Sequence, residues 1–209
     1  LQTESDNNPL QEGIIICSLG VRYKSYCGNI SRTFIMNSTE DQETNYKFLN
    51  SLRNHVISKI HEGLKCSDIY DIAYKYVEEN RSDLLPHFTK FAGWSMGISF
   101  AESGHKLTKK STTSIVEKGS VINLSLGFSN LTAKNKSRDN YSLLISDTVV
   151  IGEETIVKNE DGTEKINNKV LTSFGSGFKD ISWDANDDVD VDDKPKTTRG
   201  VAETKDRRS

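Results

Sequence analysis

The spacing of apolar residues changes along the chain, and this change predicts the order of its elements. Residues 13–18 form a short apolar run rich in β-branched side chains, and residues 21–27 and 29–36 continue it as two further strand-like segments. We predict turns between them at Gly20 and at residues 27–29, because glycine and asparagine favour turn conformations. The first part of the chain is therefore predicted to form strands.

Two helices are predicted to follow. Thr39 and Gln42 have the spacing of a capping box, and Gly63 is a suitable stop for the helix that they open. A second helix is predicted from Ser67, and Pro86 marks the end of the helical region. The apolar residues at helical spacing are Tyr46, Leu49, Leu52, Val56, Ile57 and Ile60 in the first helix, and Ile69, Ile72, Ala73, Tyr76 and Val77 in the second.

Strand-like segments return at residues 121–128, 141–146 and 148–152. The order of strands, two helices and more strands is typical of an α+β fold with helices packed on a curved, mainly antiparallel sheet. We place this domain at residues 1–152, and a domain end with a partly ordered segment at residues 153–183.

The last part of the chain has a different composition. Residues 184–193 hold six aspartates in ten positions, and residues 194–209 hold six lysines and arginines. A segment with so many charges and so few apolar residues predicts a disordered linker over residues 184–209, acidic first and basic afterwards. The six aspartates are Asp184, Asp187, Asp188, Asp190, Asp192 and Asp193.

Composition narrows the class of protein. The 209 residues carry a formal net charge of −3, so a basic field over the whole molecule, of the kind that attracts nucleic acid, is not expected. The three cysteines are too few for a disulfide framework and favour a reducing compartment. No apolar run has membrane-spanning length and no signal peptide is visible, so we expect no membrane association. The chain also lacks an initiator methionine, which suggests a fragment whose N-terminal part is missing.

One stretch carries a family resemblance. "GVRYKSYCGNISRTF", residues 20–34, resembles the metal-binding strand pair of the pita-bread enzymes, which include methionine aminopeptidases, aminopeptidase P and prolidase. In those enzymes two aspartates eleven residues apart hold two metal ions. The corresponding positions here are Ser18 and Asn29, which are neutral. The residues that fit the scaffold are Gly20, Tyr23, Tyr26, Arg32 and Thr33.

The other ligand positions of that family also lack ligands here. Trp94, in "GWSMG", stands where the resemblance places a metal-binding histidine, and Ser125 and Ser146 stand where it places glutamates. A hard divalent cation requires anionic oxygen ligands, and an indole has no lone pair to offer. The resemblance thus implies a pita-bread fold kept as a pseudo-peptidase, with all five ligands replaced, no catalytic residue and no cofactor.

A residual hydrolase is the first alternative, because metal-free amidohydrolases of the creatinase type share the fold. These amidohydrolases use a histidine of the cleft as acid and base, and this chain has Trp94 at that position. His105, after Glu102 and Gly104, lies nearest to the expected cleft and is the candidate base. The interpretation of His55, His61 and His87 is structural.

A narrower resemblance covers about residues 1–150. Residues 17–33, 93–103, 119–132 and 141–151 together resemble the large subunit of the histone chaperone FACT. This resemblance implies a non-catalytic subunit that binds histones or nucleosomes in the nucleus, on the chromosome, and reorganises chromatin during transcription, replication and repair. It also implies partnership with a small HMG-box subunit through regions outside this chain, and with replication factors.

Two features suit a histone partner. The six aspartates of residues 184–193 could attract a basic protein, and Trp94 could anchor a peptide in the emptied cleft. The plainer interpretations are a solvated linker and a side chain that fills the space left by metal and histidine. A metal-free, RNA-binding relative of the methionine aminopeptidases, or a scaffold protein, is the second alternative. Net charge and the aspartate run oppose RNA binding.

Overall fold

The structure of the chain is a computed structural model that describes residues 13–102, 104–132, 140–159 and 162–184. In these ranges no helix combines the length and the apolar character that a membrane span requires. Aspartates 187–193 of the predicted linker lie outside the described residues, and Asp184 is exposed at their edge.

The first described element is one long antiparallel hairpin. Strand β1, Ile14–Tyr23, pairs along its whole length with strand β2, Tyr26–Met36. The turn consists of Lys24 and Ser25, which both have positive φ, 45° and 71°. Turns at Gly20 and at residues 27–29 are therefore a wrong prediction, because Gly20 and Asn29 are paired residues inside the ladder. Cross-strand pairing stabilises a turn of two residues that seldom adopt positive φ.

The two predicted helices are present with the predicted apolar faces. Helix α1, Glu40–Lys59, begins at a capping box in which Thr39 and Gln42 bond each other's backbone. Its C-cap residue is Ile60, so the helix stops before the predicted Gly63. Helix α2 spans Cys66–Asn80 and is followed by a 3-10 helix, Ser82–His87, that contains Pro86. The six apolar residues predicted for the first helix are all buried.

The described part of the second half of the chain returns to strands and ends with a short helix and a short strand. The six elements are β3 (Gly93–Ser95), β4 (Val121–Thr132), β5 (Asn140–Asn159), β6 (Gly162–Val170), α3 (Phe178–Ile181) and β7 (Ser182–Trp183). The two segments predicted at 141–146 and 148–152 are one strand, and β5 continues past residue 152. The boundary placed there from composition therefore falls inside a strand that pairs with β6.

The strands form one sheet with the order β1-β2-β5-β4-β3, in which β6 also pairs with β5 and β7 pairs with β2. All pairs are antiparallel except β2 with β7. Helix α1 packs over β5, since Arg53 of α1 bonds Asp147 of β5. Alternate residues of β4, among them Ile122, Leu124 and Leu126, join the buried residues of both helices in one core. The α+β prediction, with helices on a mainly antiparallel sheet, is confirmed.

The capping box gives the first testable prediction. Replacing Thr39 with alanine removes the side-chain acceptor of the Gln42 backbone N–H, so the free energy of unfolding should fall by about 1 kcal/mol. Urea unfolding of the two proteins measures the difference. The control is Thr44→Ala, an exposed position inside the same helix, which should leave stability unchanged or slightly raised. Equal effects of the two substitutions would contradict a capping role.

Candidate functional site

The five positions that resemble metal ligands lie on five neighbouring strands. Ser18 is on β1, Asn29 on β2, Ser146 on β5, Ser125 on β4 and Trp94 on β3. This is also the order of the strands in the sheet. Each strand therefore contributes one position, although the five residues are spread over more than half of the chain.

Four hydroxyl side chains form one row across this sheet. Ser18 is paired with Ser31, Ser31 with Ser146, and Ser146 with Ser125. Residues directly opposite each other in adjacent strands project to the same face. Ser31, two residues beyond Asn29, thus completes a row that the family pattern alone does not reveal.

A second row lies beside the first, two residues away along β2, β5 and β4, and it extends to β3. The backbone N–H of Asn29 donates to Oγ1 of Thr148 at 2.9 Å, Thr148 is paired with Asn123, and Asn123 is paired with Trp94. Side chains two residues apart on a strand share a face. We call the two rows the polar face; its members are Ser18, Ser31, Ser146, Ser125, Asn29, Thr148, Asn123 and Trp94.

The side chains of the polar face bond one another. Ser146 donates to Oδ1 of Asn123 at 2.5 Å, and its hydroxyl also lies 3.4 Å from Oδ1 of Asn29. Ser31 donates to the hydroxyl oxygen of Ser18 at 2.8 Å, and Thr148 donates to the carbonyl oxygen of Asn29 at 2.9 Å. Hydroxyl and amide groups therefore satisfy much of one another's bonding capacity in the middle of the sheet.

This donor set does not fit a dinuclear metal centre. The polar face supplies neutral hydroxyls and amides, whereas hard divalent cations are held by carboxylate oxygens. Nδ2 of Asn123 is buried and has no hydrogen-bond partner among the described residues, so the polar face also holds an N–H donor, which cannot bind a cation. No group of three or more histidine, cysteine or acidic side chains is placed to hold a metal ion anywhere in the described ranges.

The segment that follows β3 covers the polar face. Met96 is buried, with its sulfur 3.7 Å from Oγ1 of Thr148. The carbonyl of Gly97 accepts the backbone N–H of Cys27 at 2.8 Å, which ties the segment to the hairpin. Phe100 lies against Gly20 so closely that a Cβ there would be 2.9 Å from its ring. Residues 96–100 thus occupy the side of the sheet where a substrate cleft would open.

Trp94 holds this covering segment in place. Its ring is half-buried against Phe91, and its indole N–H donates to the carbonyl of Phe100 at 2.5 Å. The polar atom of the indole is therefore already used within the chain. The role of Trp94 as an anchor for a bound peptide stays a prediction. In that role only the face of its ring would be available for contact.

The four histidines lie elsewhere. His55 stacks on Tyr76, and burial together with nearby Lys59 lowers its pKa. His61 and His87 contact backbone carbonyls close to α1 and β4. His105 lines a cavity of about 190 Å³ together with Ser95 and Ile122. These two residues alternate with Trp94 and Asn123 along β3 and β4, so the cavity lies on the other face of the sheet, away from the polar face.

The opposite face of the sheet carries a buried charge cluster of Arg32, Arg53 and Asp147. The carboxylate of Asp147 is fully buried and accepts from both arginines at 2.7 Å. Arg32 also donates to the carbonyls of Thr172 and Phe174, at 3.0 and 3.2 Å. The cluster therefore joins β2, β5, α1 and the segment after β6. The cluster gives Arg32 a structural role. The role of Asp147 was not predicted from the sequence.

Tyr46 lies close to this cluster on α1. Burial raises the pKa of its phenol to about 12, although the positive charges of Arg32 and Arg53 act in the opposite direction. The hydroxyl donates to the carbonyl of Ser176 at 3.2 Å. The segment after β6 is thus fixed to the helix as well as to the sheet.

A family model supports the relation that the motifs suggested. The model of metallopeptidase family M24 matches residues 1–153. This match covers more than half of the chain, and the chain belongs to that family. Solved structures of low identity show the same fold: prolidase from Pyrococcus furiosus has a TM-score of 0.60 at 19% identity, with 79% of this chain and 44% of that chain covered. The predicted pita-bread fold is confirmed.

The more similar proteins are subunits of FACT. The FACT complex subunit SPT16 of Debaryomyces hansenii is 44% identical over 146 residues, 68% of this chain and 14% of that protein. That of Candida albicans is 34% identical over 199 residues, 88% of this chain and 18% of that protein. The chain therefore spans less than a fifth of these relatives.

A solved domain agrees with them. The N-terminal domain of SPT16 from Eremothecium gossypii has a TM-score of 0.76 at 33% identity, with 88% of this chain and 39% of that chain covered. The resemblance to the large subunit of FACT is confirmed.

The buried charge cluster gives a second prediction. Asp147→Ala leaves the buried Arg32 and the partly buried Arg53 without their carboxylate, so the free energy of unfolding should fall by about 3–5 kcal/mol. The matched control is Asp83→Ala, which breaks the exposed pair with Arg81 and should cost about 1 kcal/mol or less. Chemical denaturation of both variants measures the costs, and a similar small loss in both would show that the cluster does not hold the fold.

Proposed function

We propose that the chain is a non-catalytic binding module of a FACT-type large subunit, which handles histones or nucleosomes. The observation that carries this proposal is the polar face: hydroxyls and amides stand where the family resemblance places metal ligands, and buried Met96 lies against Thr148. The similarity to FACT complex subunits supports the chromatin part.

Two properties of the polar face argue against catalysis: its side chains are neutral, and other residues cover it. The matched positions Ser18, Asn29, Ser125 and Ser146 carry no charge to bind a metal, and Trp94 replaces the imidazole of the family. Buried Met96 lies against Thr148, and the indole of Trp94 bonds the carbonyl of Phe100 in the segment that covers the polar face. A residual hydrolase would need a new base, and His105, its candidate, lines a cavity on the other face.

The histone part of the proposal depends on the aspartate run that follows β7. Trp183 pairs with Met36, and its carbonyl accepts the backbone N–H of Asn37, so the last described strand is joined to the end of β2. Asp184, the next residue, is exposed. The run of six aspartates thus begins at a fixed point on the domain, where its charges can meet a basic protein surface.

The setting of this module is also proposed from its relatives. A FACT-type subunit would act in the nucleus on the chromosome, during transcription, replication and repair. Its small HMG-box partner would bind outside these residues, and replication factors are further candidate partners. An RNA-binding role, as in other metal-free relatives, is the alternative, and a net charge of −3 gives it little support.

A histone-binding experiment tests the proposal. Neutralising the six aspartates of residues 184–193 to asparagine should weaken retention of core histones roughly tenfold at moderate salt, and added salt should weaken the parent chain in the same way. The matched control neutralises the six basic residues of the same tail to glutamine and should bind at least as well. They are Lys194, Lys196, Arg199, Lys205, Arg207 and Arg208.

Three outcomes would count against the proposal. Histone binding that is indifferent to all twelve substitutions would remove the aspartate run as the contact. Absence of histone binding by the parent chain, with retention of RNA instead, would favour the alternative. Peptide hydrolysis after addition of cobalt or manganese would contradict the non-catalytic assignment.

A further inference from the structure

A basic surface lies beyond strand β3, at the end of the sheet opposite to β1. Residues 84–116 contain four lysines and a single acidic residue, Glu102, in a chain whose net charge is −3. The side chains of all four lysines are exposed. We call these four residues the basic edge; they are Lys90, Lys106, Lys109 and Lys110.

Backbone pairing brings the lysines of the basic edge together, although they come from two separate segments. The N–H of Ala92 donates to the carbonyl of Leu107 at 2.8 Å, and Trp94 is paired antiparallel with Lys106. In an antiparallel pair, the residues before one segment lie beside the residues after the other. Three of the lysines therefore lie at one end of this pair: Lys90, Lys109 and Lys110.

Nearby carboxylates offset little of this positive charge. Glu102 already accepts a backbone N–H within its own segment, at 3.1 Å. The amino group of Lys109 lies over the ring of Tyr74, 5.9 Å from its centroid. Asp71 and Glu78 lie one turn to either side of Tyr74 on α2, so the charge of Lys109 is the one most reduced. The other three lysines form no salt bridge with any described residue.

We infer that the basic edge binds the phosphate backbone of duplex DNA. This inference rests on the proposed function, because a chain that handles nucleosomes meets DNA together with histones. Exposed lysines bind phosphates without reading the base sequence, and the counterions that they release make such binding depend on salt.

The aromatic residues beside the lysines favour duplex DNA over single strands. Single-stranded nucleic acid is held by exposed aromatic rings on which successive bases stack. The ring of Trp94 is half-buried and its N–H is already bonded, whereas Phe91, at 41%, is exposed. One exposed ring does not make a platform for several bases, so contacts to phosphates are what the basic edge offers.

The basic edge and the aspartate run belong to different strands of the sheet. Asp184 follows β7, which pairs with the end of β2. The basic edge lies beyond β3, and β5 and β4 stand between β2 and β3 in the sheet. The contact with a basic protein and the contact with DNA therefore use separate residues, and substitutions can remove one without the other.

Binding to a short duplex DNA of mixed sequence, measured without histones across a salt series, tests the inference. A variant with all four lysines of the basic edge changed to glutamine should bind at least roughly tenfold more weakly than the parent chain. The slope of log affinity against log salt should also fall by about 3, because each phosphate contact contributes about 0.9 and Lys109 contributes less. The matched control changes four exposed lysines elsewhere to glutamine and should bind like the parent. They are Lys24, Lys47, Lys59 and Lys179.

Chemical acetylation of the full-length protein, read by mass spectrometry, is a second measurement that needs no variant. Added duplex DNA should slow the acetylation of Lys90, Lys106 and Lys110 at least roughly threefold. The four control lysines should react at the same rate with and without DNA.

Several results would overturn the inference. They are absence of DNA binding by the parent chain, equal losses from the two sets of substitutions, and acetylation of the basic edge that DNA does not change. Tighter binding to single-stranded DNA or to RNA than to the duplex would also overturn it. So would DNA binding that appears only after residues 184–193 are neutralised, because the aspartate run would then be the occupant of the basic edge.

The DNA measurement is independent of the histone measurement. Neutralising the aspartates of residues 184–193 should weaken histone binding and leave DNA binding at least as strong as in the parent chain. Neutralising the basic edge should weaken DNA binding alone. This inference and the proposed histone contact can therefore fail separately.

Discussion

The bond between Asp147 and two arginines is the interaction on which this fold depends. A fully buried carboxylate is costly unless it is paired and hydrogen-bonded, and Asp147 meets both conditions through Arg32 and Arg53. The hydroxyl of Thr172 donates to the same carboxylate at 2.7 Å. One charged group thereby fixes the first hairpin, the central strand, the long helix and the segment beyond β6 relative to one another.

This arrangement places the interactions that stabilise the fold on the side of the sheet opposite the polar face. Asp147 follows Ser146 directly, so the two side chains project to opposite sides of β5. The side that carries Asp147 holds the helices, and the side that carries Ser146 holds the positions that resemble metal-ligand positions of the family. Replacing carboxylates on one side therefore leaves the other side intact, and it also removes repulsion among like charges that a metal would otherwise have to balance. A sheet of the metallopeptidase family can in this way keep its fold while the side chains of the polar face change.

Local signals predicted part of this structure. The capping box at Thr39 and the apolar stripe of α1 need only neighbouring residues, and both are present as predicted. The turn at Lys24 and Ser25 has no glycine or asparagine, so long-range pairing of β1 with β2 decides its place. The continuity of β5 through Gly152 depends on β6, which lies beyond the predicted boundary.

The sequence predicted the position of the candidate site better than it predicted the side chains that form and cover it. The family pattern names Asn29 and Ser146, and alternation along the same strands could have added Ser31, Thr148 and Asn123. No local signal places Met96 over Thr148, because that contact joins residues 52 positions apart. Burial of Asp147 likewise follows from tertiary packing and is invisible in the adjacent "SDT" sequence.

The neutral side chains of the polar face should hold no metal ions, and the metal content of the purified chain shows whether they do. The chain is incubated with cobalt, manganese or zinc, freed of excess metal and measured for bound metal per chain. A variant with residues 184–193 neutralised controls for ions held by the aspartate run. Well below one metal ion per chain is expected in both proteins. Two firmly bound ions per chain in both would contradict this expectation, and would require ligands that the described residues do not provide.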